Sequence, residues 1–410
     1  MSGKPISFID PEVQRCPFAA YAAVRAQGPV YYDESCGYYI VTGYDEVRKW
    51  AADTDNLSNV TGLLLVKDAP YQPRIDAIYE AHGFLPVNTL TVSDPPLHTF
   101  HRSLVDKVFS ASRVKQMEDY LQSIVDGMID GFIDRGRCDF YREFASKVPL
   151  YVIADALGVK PDNVDQFRAW SEAVIQEGDP NNGEERQAEL THVICELQQF
   201  IARMAEQYRR QPADCLLSDL VHAEDNGRRM SDRELVSIVV ILIAAGIDST
   251  ALALASTMYR LIETPALQDE LRAHPDRLAN FIEEVLRLEA PVQGLYRRVL
   301  NDITIAGVDI PKGAVVVLRF GGGNRDPAQF PDADVLKPER KNARTHLTFG
   351  AGPHFCIGNQ LARGELRIAF DTLLRKMRNI RLAKGEGSAS WVSHFLVYGP
   401  YKLDIAFDRI

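Results

Sequence analysis

The stretch Phe349-Gly350-Ala351-Gly352-Pro353-His354-Phe355-Cys356-Ile357-Gly358 sets one cysteine between a glycine-rich loop and a run with helical periodicity, Asn359-Gln360-Leu361-Ala362-Arg363-Gly364-Glu365-Leu366-Arg367-Ile368-Ala369-Phe370. A cysteine at a helix start meets unpaired N–H groups and the positive end of the macrodipole, and both favour thiolate over thiol. Gly350 and Gly352 let the backbone fold tightly around the sulfur, and Gly358 lets a flat ligand lie close to the helix start. Other readings have less behind them. A buried cysteine acting as a small hydrophobe needs no such loop. A zinc site needs four clustered ligands, and only His354 stands near Cys356. A phosphate loop would continue with Gly-Lys-Ser or Gly-Lys-Thr, which is absent.

A soft anionic ligand on a rigid loop suits an axial bond to haem iron. The complete string, Phe-Gly-x-Gly-x-His-x-Cys-x-Gly, resembles the haem-binding loop of cytochrome P-450 monooxygenases. The resemblance spans roughly residues 15 to 408. It implies a mainly α fold with small β-sheets, in which a long central helix lies over the haem and the cysteine loop beneath it. It implies one domain over residues 1–410, with mobile lid segments at about 57–92 and 170–195. Cys356 is then the axial ligand of haem b (iron-protoporphyrin IX), and Phe349, Gly350, His354 and Gly358 are cofactor contacts.

The segment Asp94-Pro95-Pro96-Leu97-His98-Thr99-Phe100-His101-Arg102 opens with prolines tolerated in a first helical turn. His98 and Arg102, four apart, share a helix face. Taken alone, such a pair is a solvated face. The segment resembles the family's Asp-Pro-Pro-x-His-x-x-x-Arg helix, which implies that His98 and Arg102 hold the haem propionates. Arg297 falls at the family's third propionate position, with Arg298 the nearby competitor, and His354 joins them.

Ser231-Asp232-Arg233-Glu234 is a capping box that opens a helix running to Glu263, before Thr264-Pro265. Its early part is apolar nearly all round, which marks a buried helix. Inside it, Ala245-Gly246-Ile247-Asp248-Ser249-Thr250 puts a glycine, an acid and two hydroxyls where a core helix has no use for them. A kinked core helix whose aspartate caps a neighbour accounts for the string equally well on its own. The string resembles the family's oxygen-activation motif. That implies that Ala245 and Gly246 line an oxygen groove, that Asp248 is the relay acid and that Ser249 is the relay alcohol, with Thr250 following. Serine departs from the usual threonine there and lacks the χ1 stiffness of a β-branched residue.

Phe281 to Ala290 reads as a helix ended by Pro291, with Glu284 and Arg287 an i, i+3 pair. The pair resembles the family's buried Glu-x-x-Arg, completed by an arginine of a later loop, here Arg340; these three are structural. The resemblance implies that Val292, Gln293 and Leu295 pass beside the haem and that Phe395 and Leu396 approach from a hairpin tip at 393–399. With Ile241 and Ala244 they form the expected substrate pocket, apolar and without an obvious carboxylate-binding arginine. Lys67, Arg74 and His82 could supply such a cation from the 57–92 segment. That segment reads as irregular, with Pro70, Pro73, Gly83 and Pro86 as breakers. Between Glu177 and Glu184 lies an exposed hinge. Gly321-Gly322-Gly323 lacks the context of a nucleotide loop.

The 410 residues carry a net charge of −10, against a nucleic-acid binder working by counterion release. Six scattered cysteines without a Cys-x-x-Cys pair fit a reducing, cytoplasmic setting. The N-terminus has no apolar signal region, and the longest apolar run, 235–247, is too short for a membrane span of about 20 residues. No membrane association is therefore expected, and the chain reads as a monomer. The resemblance implies hydroxylation of a small-to-medium apolar compound with O2. No flavin, nicotinamide or iron–sulfur segment is recognisable, so electrons are expected from a separate ferredoxin and its NAD(P)H-dependent reductase. Arg102, Lys107, Arg113, Arg344 and Arg363 are candidate basic docking residues. Two other functions remain open: a peroxide-driven haem enzyme, against which the Asp248-Ser249 pair speaks, and a non-enzymatic haem sensor, against which the oxygen-groove motif speaks.

Overall fold

The computed structural model describes residues 5–60, 70–109, 111–159, 164–177, 182–384 and 387–410. Lys67, the 61–69 part of the first expected lid and the 178–181 part of the expected hinge lie outside them. The described chain is mainly helical and divides into two compact units, each assembled from separated stretches. One comprises Met1–Ser58, Val114–Pro149 and Asp248–Ile410; the other comprises Asn59–Arg113 and Leu150–Ile247.

The first unit contains the sheets. Val30–Asp33 and Tyr38–Val41 form an antiparallel hairpin in the register Val30 to Val41, and Gly37 takes the positive φ (73°) that its turn requires. Tyr38–Val41 pairs in parallel with Val315–Leu318, which pairs antiparallel with Leu295–Val299, which in turn pairs with Leu57–Ser58. One face of this five-stranded sheet closes over an apolar core that includes Val41, Val47, Trp50, Val316, Leu318 and Phe330. A second sheet sets Pro400–Arg409 against Ala389–Trp391, Arg137–Asp139 and Met377–Leu382. The helix Leu278–Glu289 ends at Ala290, a non-glycine residue at φ 34°, just before Pro291. Gly321, Gly322 and Gly323 lie buried in the short helix Phe320–Gly323.

The second unit is built from helices. Gln72–His82 is an 11-residue helix, where the sequence had suggested irregular chain. The error lay in treating Pro73 as a breaker. It stands in the first turn, where the missing N–H would have had no intrahelical partner. Ile75 and Tyr79 from this helix pack with Ala188, Leu190, Ile194 and Cys195 of Glu184–Arg210. Glu184 and Glu185 at the start of the longer helix, and Arg209 and Arg210 at its end, match its dipole. Arg74 ties the two helices together by ion pairs to Glu184 (2.9 Å) and Glu185 (2.7 Å).

The long helix spans Asp232–Glu263. Its capping box closes in both directions. The N–H and hydroxyl of Ser231 donate to Glu234 Oε2 at 2.8 Å, while the Glu234 N–H donates back to the Ser231 hydroxyl at 3.3 Å. The other oxygen of Glu234 meets the fully buried ring of His101 at 3.1 Å, which joins Leu97–Val108 to the start of the long helix. Over its full length this helix is long and apolar enough to cross a membrane, a property the shorter run 235–247 did not convey. Most of its apolar window is packed inside the protein.

Candidate functional site

The cysteine loop is held by its own backbone. The Cys356 N–H donates to the Phe349 carbonyl at 2.8 Å. Its carbonyl accepts from the side-chain amide of Asn359, at 2.7 Å, where the helix Asn359–Lys376 begins. Two of the loop's glycines differ in what the backbone demands of them. Gly352 has φ 70°, and a Cβ there would stand 2.6 Å from the Cα of Ala52. At Gly358 the nearest atom to a would-be Cβ is the Cys356 sulfur itself, at 4.0 Å, so the loop leaves its sulfur flank open.

Behind the loop lies a polar network that local sequence spacing did not reveal. Glu283 is 3% exposed and accepts from Arg363 at 2.6 and 3.0 Å and from His346 at 3.1 Å. Burial alone would raise the Glu283 carboxyl, but the hydrogen bonds from His346 and Arg363 bring it down to about 2. Burial holds the His346 ring below the usual histidine range. Its Nδ1 accepts the Thr348 N–H at 3.2 Å, so the ring proton sits on Nε2 and is donated to Glu283. The Arg363 guanidinium lies 4.4 Å from the centre of the Phe349 ring, the residue whose carbonyl holds Cys356. The only advance signal was His346 standing three residues ahead of Phe349.

Glu284, Arg287 and Arg340 come together. Arg287 makes two 2.8 Å hydrogen bonds to the Glu284 carboxylate, and Arg340 Nε makes bonds of 2.9 and 3.0 Å to the same group. Arg287 also donates to the carbonyls of Asn324 and Ala333, which pins the connector to the helix.

On the long helix, burial changes along one stripe. Leu242, Ile243, Ile247 and Ala251 are covered, whereas Ile241, Ala244, Ala245, Asp248 and Ser249 are not. These positions are spaced i, i+3, i+4, i+7 and i+8, a single helix face. A Cβ at Gly246 would meet no atom within 4 Å. Thr250 is 5% exposed and faces the packed side, so the adjacent hydroxyls are distinct in place: Ser249 is on the open stripe and Thr250 is not.

The basic positions separate in the same way. On the strand Leu295–Val299, Arg297 is 4% exposed and its Nη1 donates to the Tyr296 carbonyl at 2.7 Å, while Arg298 faces solvent. His98 is buried, and burial first, then the neighbouring Arg102, holds its ring below the usual range. Arg102 donates to Asp106 at 2.7 Å. His354 ends the short turn Gly352–His354.

Two residues expected in the pocket have protein partners of their own. Gln293 is 2% exposed and caps the preceding helix, donating to the carbonyls of Glu289 (2.8 Å) and Ala290 (2.7 Å) and accepting from the Tyr21 hydroxyl (2.9 Å). Those carbonyls lie at a helix end and need an outside donor, which the amide supplies. Phe395 stacks on Tyr296, with ring centres 5.6 Å apart, inside a cluster with Phe8 and Tyr21. Val292 and Leu295 stay partly open, Val292 bridging to Val397, and Leu396 is buried. The proposed docking cations are mostly engaged too: Arg363 with Glu283, Arg113 with Asp214, Arg102 with Asp106, and Lys107 with the Glu224 carbonyl. Arg344 is well exposed, 3.8 Å from Glu283.

This donor set fits a flat iron porphyrin. A thiol stands at a helix start with glycine on its flank, small residues interrupt a core helix, and the buried Arg297 offers a cationic partner to a carboxylate. Comparison with known proteins agrees. A sequence profile of the cytochrome P450 family matches residues 181–381. Cytochrome P450 monooxygenase PikC of Streptomyces venezuelae is 33% identical over 400 residues, covering 96% of this chain and 91% of that protein. The structure of cytochrome P450 CYP109Q5 from Chondromyces apiculatus superposes with a TM-score of 0.88 at 27% identity, covering 99% and 98% of the two chains. That of CYP109E1 from Bacillus megaterium in complex with corticosterone gives 0.84 at 29% identity, covering 96% and 99%. With a loop, a fold and relatives that agree along almost its whole length, the chain belongs to the cytochrome P450 family and is a haem-dependent oxidoreductase of the monooxygenase class.

Proposed function

We propose that the protein hydroxylates a small-to-medium apolar organic compound, using O2 and electrons from a separate ferredoxin and its NAD(P)H-dependent reductase, with haem b bound through Cys356. The observation that carries this reading is the open stripe of the long helix, where Ala244, Ala245 and Gly246 leave room and Asp248 and Ser249 present an acid and an alcohol side by side. Haem supplies the oxygen-activating and C–H-oxidising chemistry once bound. The chain's own part is to hold and to protonate. Cys356 offers the thiolate, His98, Arg102, Arg297 and His354 take the propionates, and Asp248 passes protons inward through the Ser249 hydroxyl. Ile241, Ala244, Val292, Leu295 and Leu396 exclude water and hold the substrate by apolar contact.

An apolar substrate of steroid or terpenoid shape agrees with the corticosterone complex of CYP109E1. The scattered cysteines, none of the described ones in a disulfide, agree with a reducing cytoplasmic setting. A panel of apolar compounds beginning with corticosterone, titrated into the haem-loaded protein, should include one that shifts the Soret band from low to high spin. That compound should be hydroxylated only when ferredoxin, reductase and NAD(P)H are all present. Equal turnover with hydrogen peroxide alone would replace this reading with a peroxide-driven one.

A further inference from the structure

His82 ends the helix Gln72–His82, and His192 lies on the helix Glu184–Arg210 that packs beside it; both belong to the second unit. Their rings meet across the two helices, with centres 5.2 Å apart and planes tilted by 57°. Both residues are exposed, and neither ring makes a hydrogen bond among the described residues, so each has only the other as its partner. The backbone that carries His82 is fixed to the second helix. Gln199 Nε2 donates to the His82 carbonyl at 2.5 Å, and Gln198 accepts the Phe84 N–H at 2.8 Å and donates to the Phe84 carbonyl at 2.9 Å. A Cβ at Gly83 would stand 2.8 Å from the Cys195 sulfur, so the helix end lies directly against its neighbour.

Imidazole suits borderline divalent ions such as Zn2+. In a tetrahedral site, two Zn–N bonds of about 2.0–2.1 Å hold the two ring centres about 5 Å apart. The pair already has that separation, and its tilt keeps the rings from stacking face to face. Local charge favours a cation. His82 sits in the last turn of its helix, at the negative end of the dipole. Glu196, one turn beyond His192, accepts from Trp170 Nε1 at 3.2 Å and has no ion pair among the described residues. No third histidine, cysteine or carboxylate joins the pair in a metal-ligand cluster among the described residues, so water completes the shell.

We propose that His82 and His192 bind one Zn2+ ion between the two helices, with water in the remaining positions. Bound there, the ion ties the end of Gln72–His82 to the side of Glu184–Arg210, within the 57–92 segment expected to act as a lid. Zinc chloride titrated calorimetrically into the haem-loaded protein, purified without a histidine tag, should reveal one site per chain. His82→Ala and His192→Ala should each weaken that site by about tenfold or more with the haem spectrum unchanged, whereas His274→Ala, at another exposed histidine, should leave it intact. Crystals soaked in zinc should give an anomalous peak about 2.0–2.1 Å from a ring nitrogen of each of the two histidines. Amide exchange across Gln72–His82 should slow when zinc is added and recover with EDTA. No zinc site, binding that persists undiminished in both variants, a peak touching only one of the two rings, or exchange that ignores zinc would each overturn the proposal.

Discussion

Both carboxylate oxygens of Glu284 accept from Arg287, each at 2.8 Å, and neither side chain has any exposure to solvent. Arg340 adds a second guanidinium to the same carboxylate, and the backbone N–H of Lys337 adds a further donor at 3.1 Å. One acid thus serves as the counter-charge shared by two buried cations, while those cations hold the carbonyls of Asn324, Ala333 and Pro331. Removing that acid leaves two charges stranded. Glu284→Ala should cost about 3–5 kcal/mol, the range for breaking a buried pair by deleting one partner. Urea unfolding of the haem-loaded protein measures it, and a loss under 1 kcal/mol would mean that water reaches the cluster.

Glu365 is the opposite case. It is 2% exposed on the helix after Cys356, its Oε2 has no partner among the described residues, and burial raises its carboxyl well above the usual range. A raised folded-state pKa makes a contribution to stability that is whole below the unfolded value, near 4.3, and is lost as pH rises towards the folded one. Glu365→Gln should therefore gain on the unaltered protein as pH rises. The Tm difference near pH 8 should exceed that near pH 5 in favour of the glutamine variant. A difference that is flat with pH would show that Glu365 is ionised and solvated in the folded protein.

Asp248 and Ser249 share the open stripe of the long helix, while Thr250 beside them is packed away. Asp248→Asn keeps the shape and removes the proton-carrying group. It should slow NAD(P)H-supported turnover by about tenfold or more, in line with the usual size of proton-transfer effects, with the substrate-induced spectral shift unchanged. Thr250→Val, on the packed side, should leave turnover within about twofold. Comparable losses in both variants would argue that the effect is packing rather than proton delivery.

What could be read from the sequence follows from where each determinant lies. The capping box at Ser231–Glu234, the prolines ahead of Leu97 and the hairpin around Gly37 act over a few residues, so their signals sit in adjacent letters. The Gln72–His82 helix was lost because proline breaks a helix or begins one according to position, and composition does not record position. The orientation of Gln293 and Phe395 was beyond local reading. Gln293 is held by the distant Tyr21 as well as by its own helix end, and Phe395 packs with Phe8 and Tyr296, both far from it in sequence. The same holds for Glu283, whose partners His346 and Arg363 are 63 and 80 residues away. Motifs located the cysteine loop; only three-dimensional packing revealed what steadies it.

The central claim is that Cys356 presents its sulfur to the haem iron. The carbon monoxide difference spectrum of the reduced protein tests this most directly. A Soret band at the long-wavelength position of thiolate ligation, abolished in Cys356→Ala under conditions where that variant still binds haem, is the predicted result. A band at the shorter wavelength typical of imidazole ligation in the freshly purified, unaltered protein would contradict it.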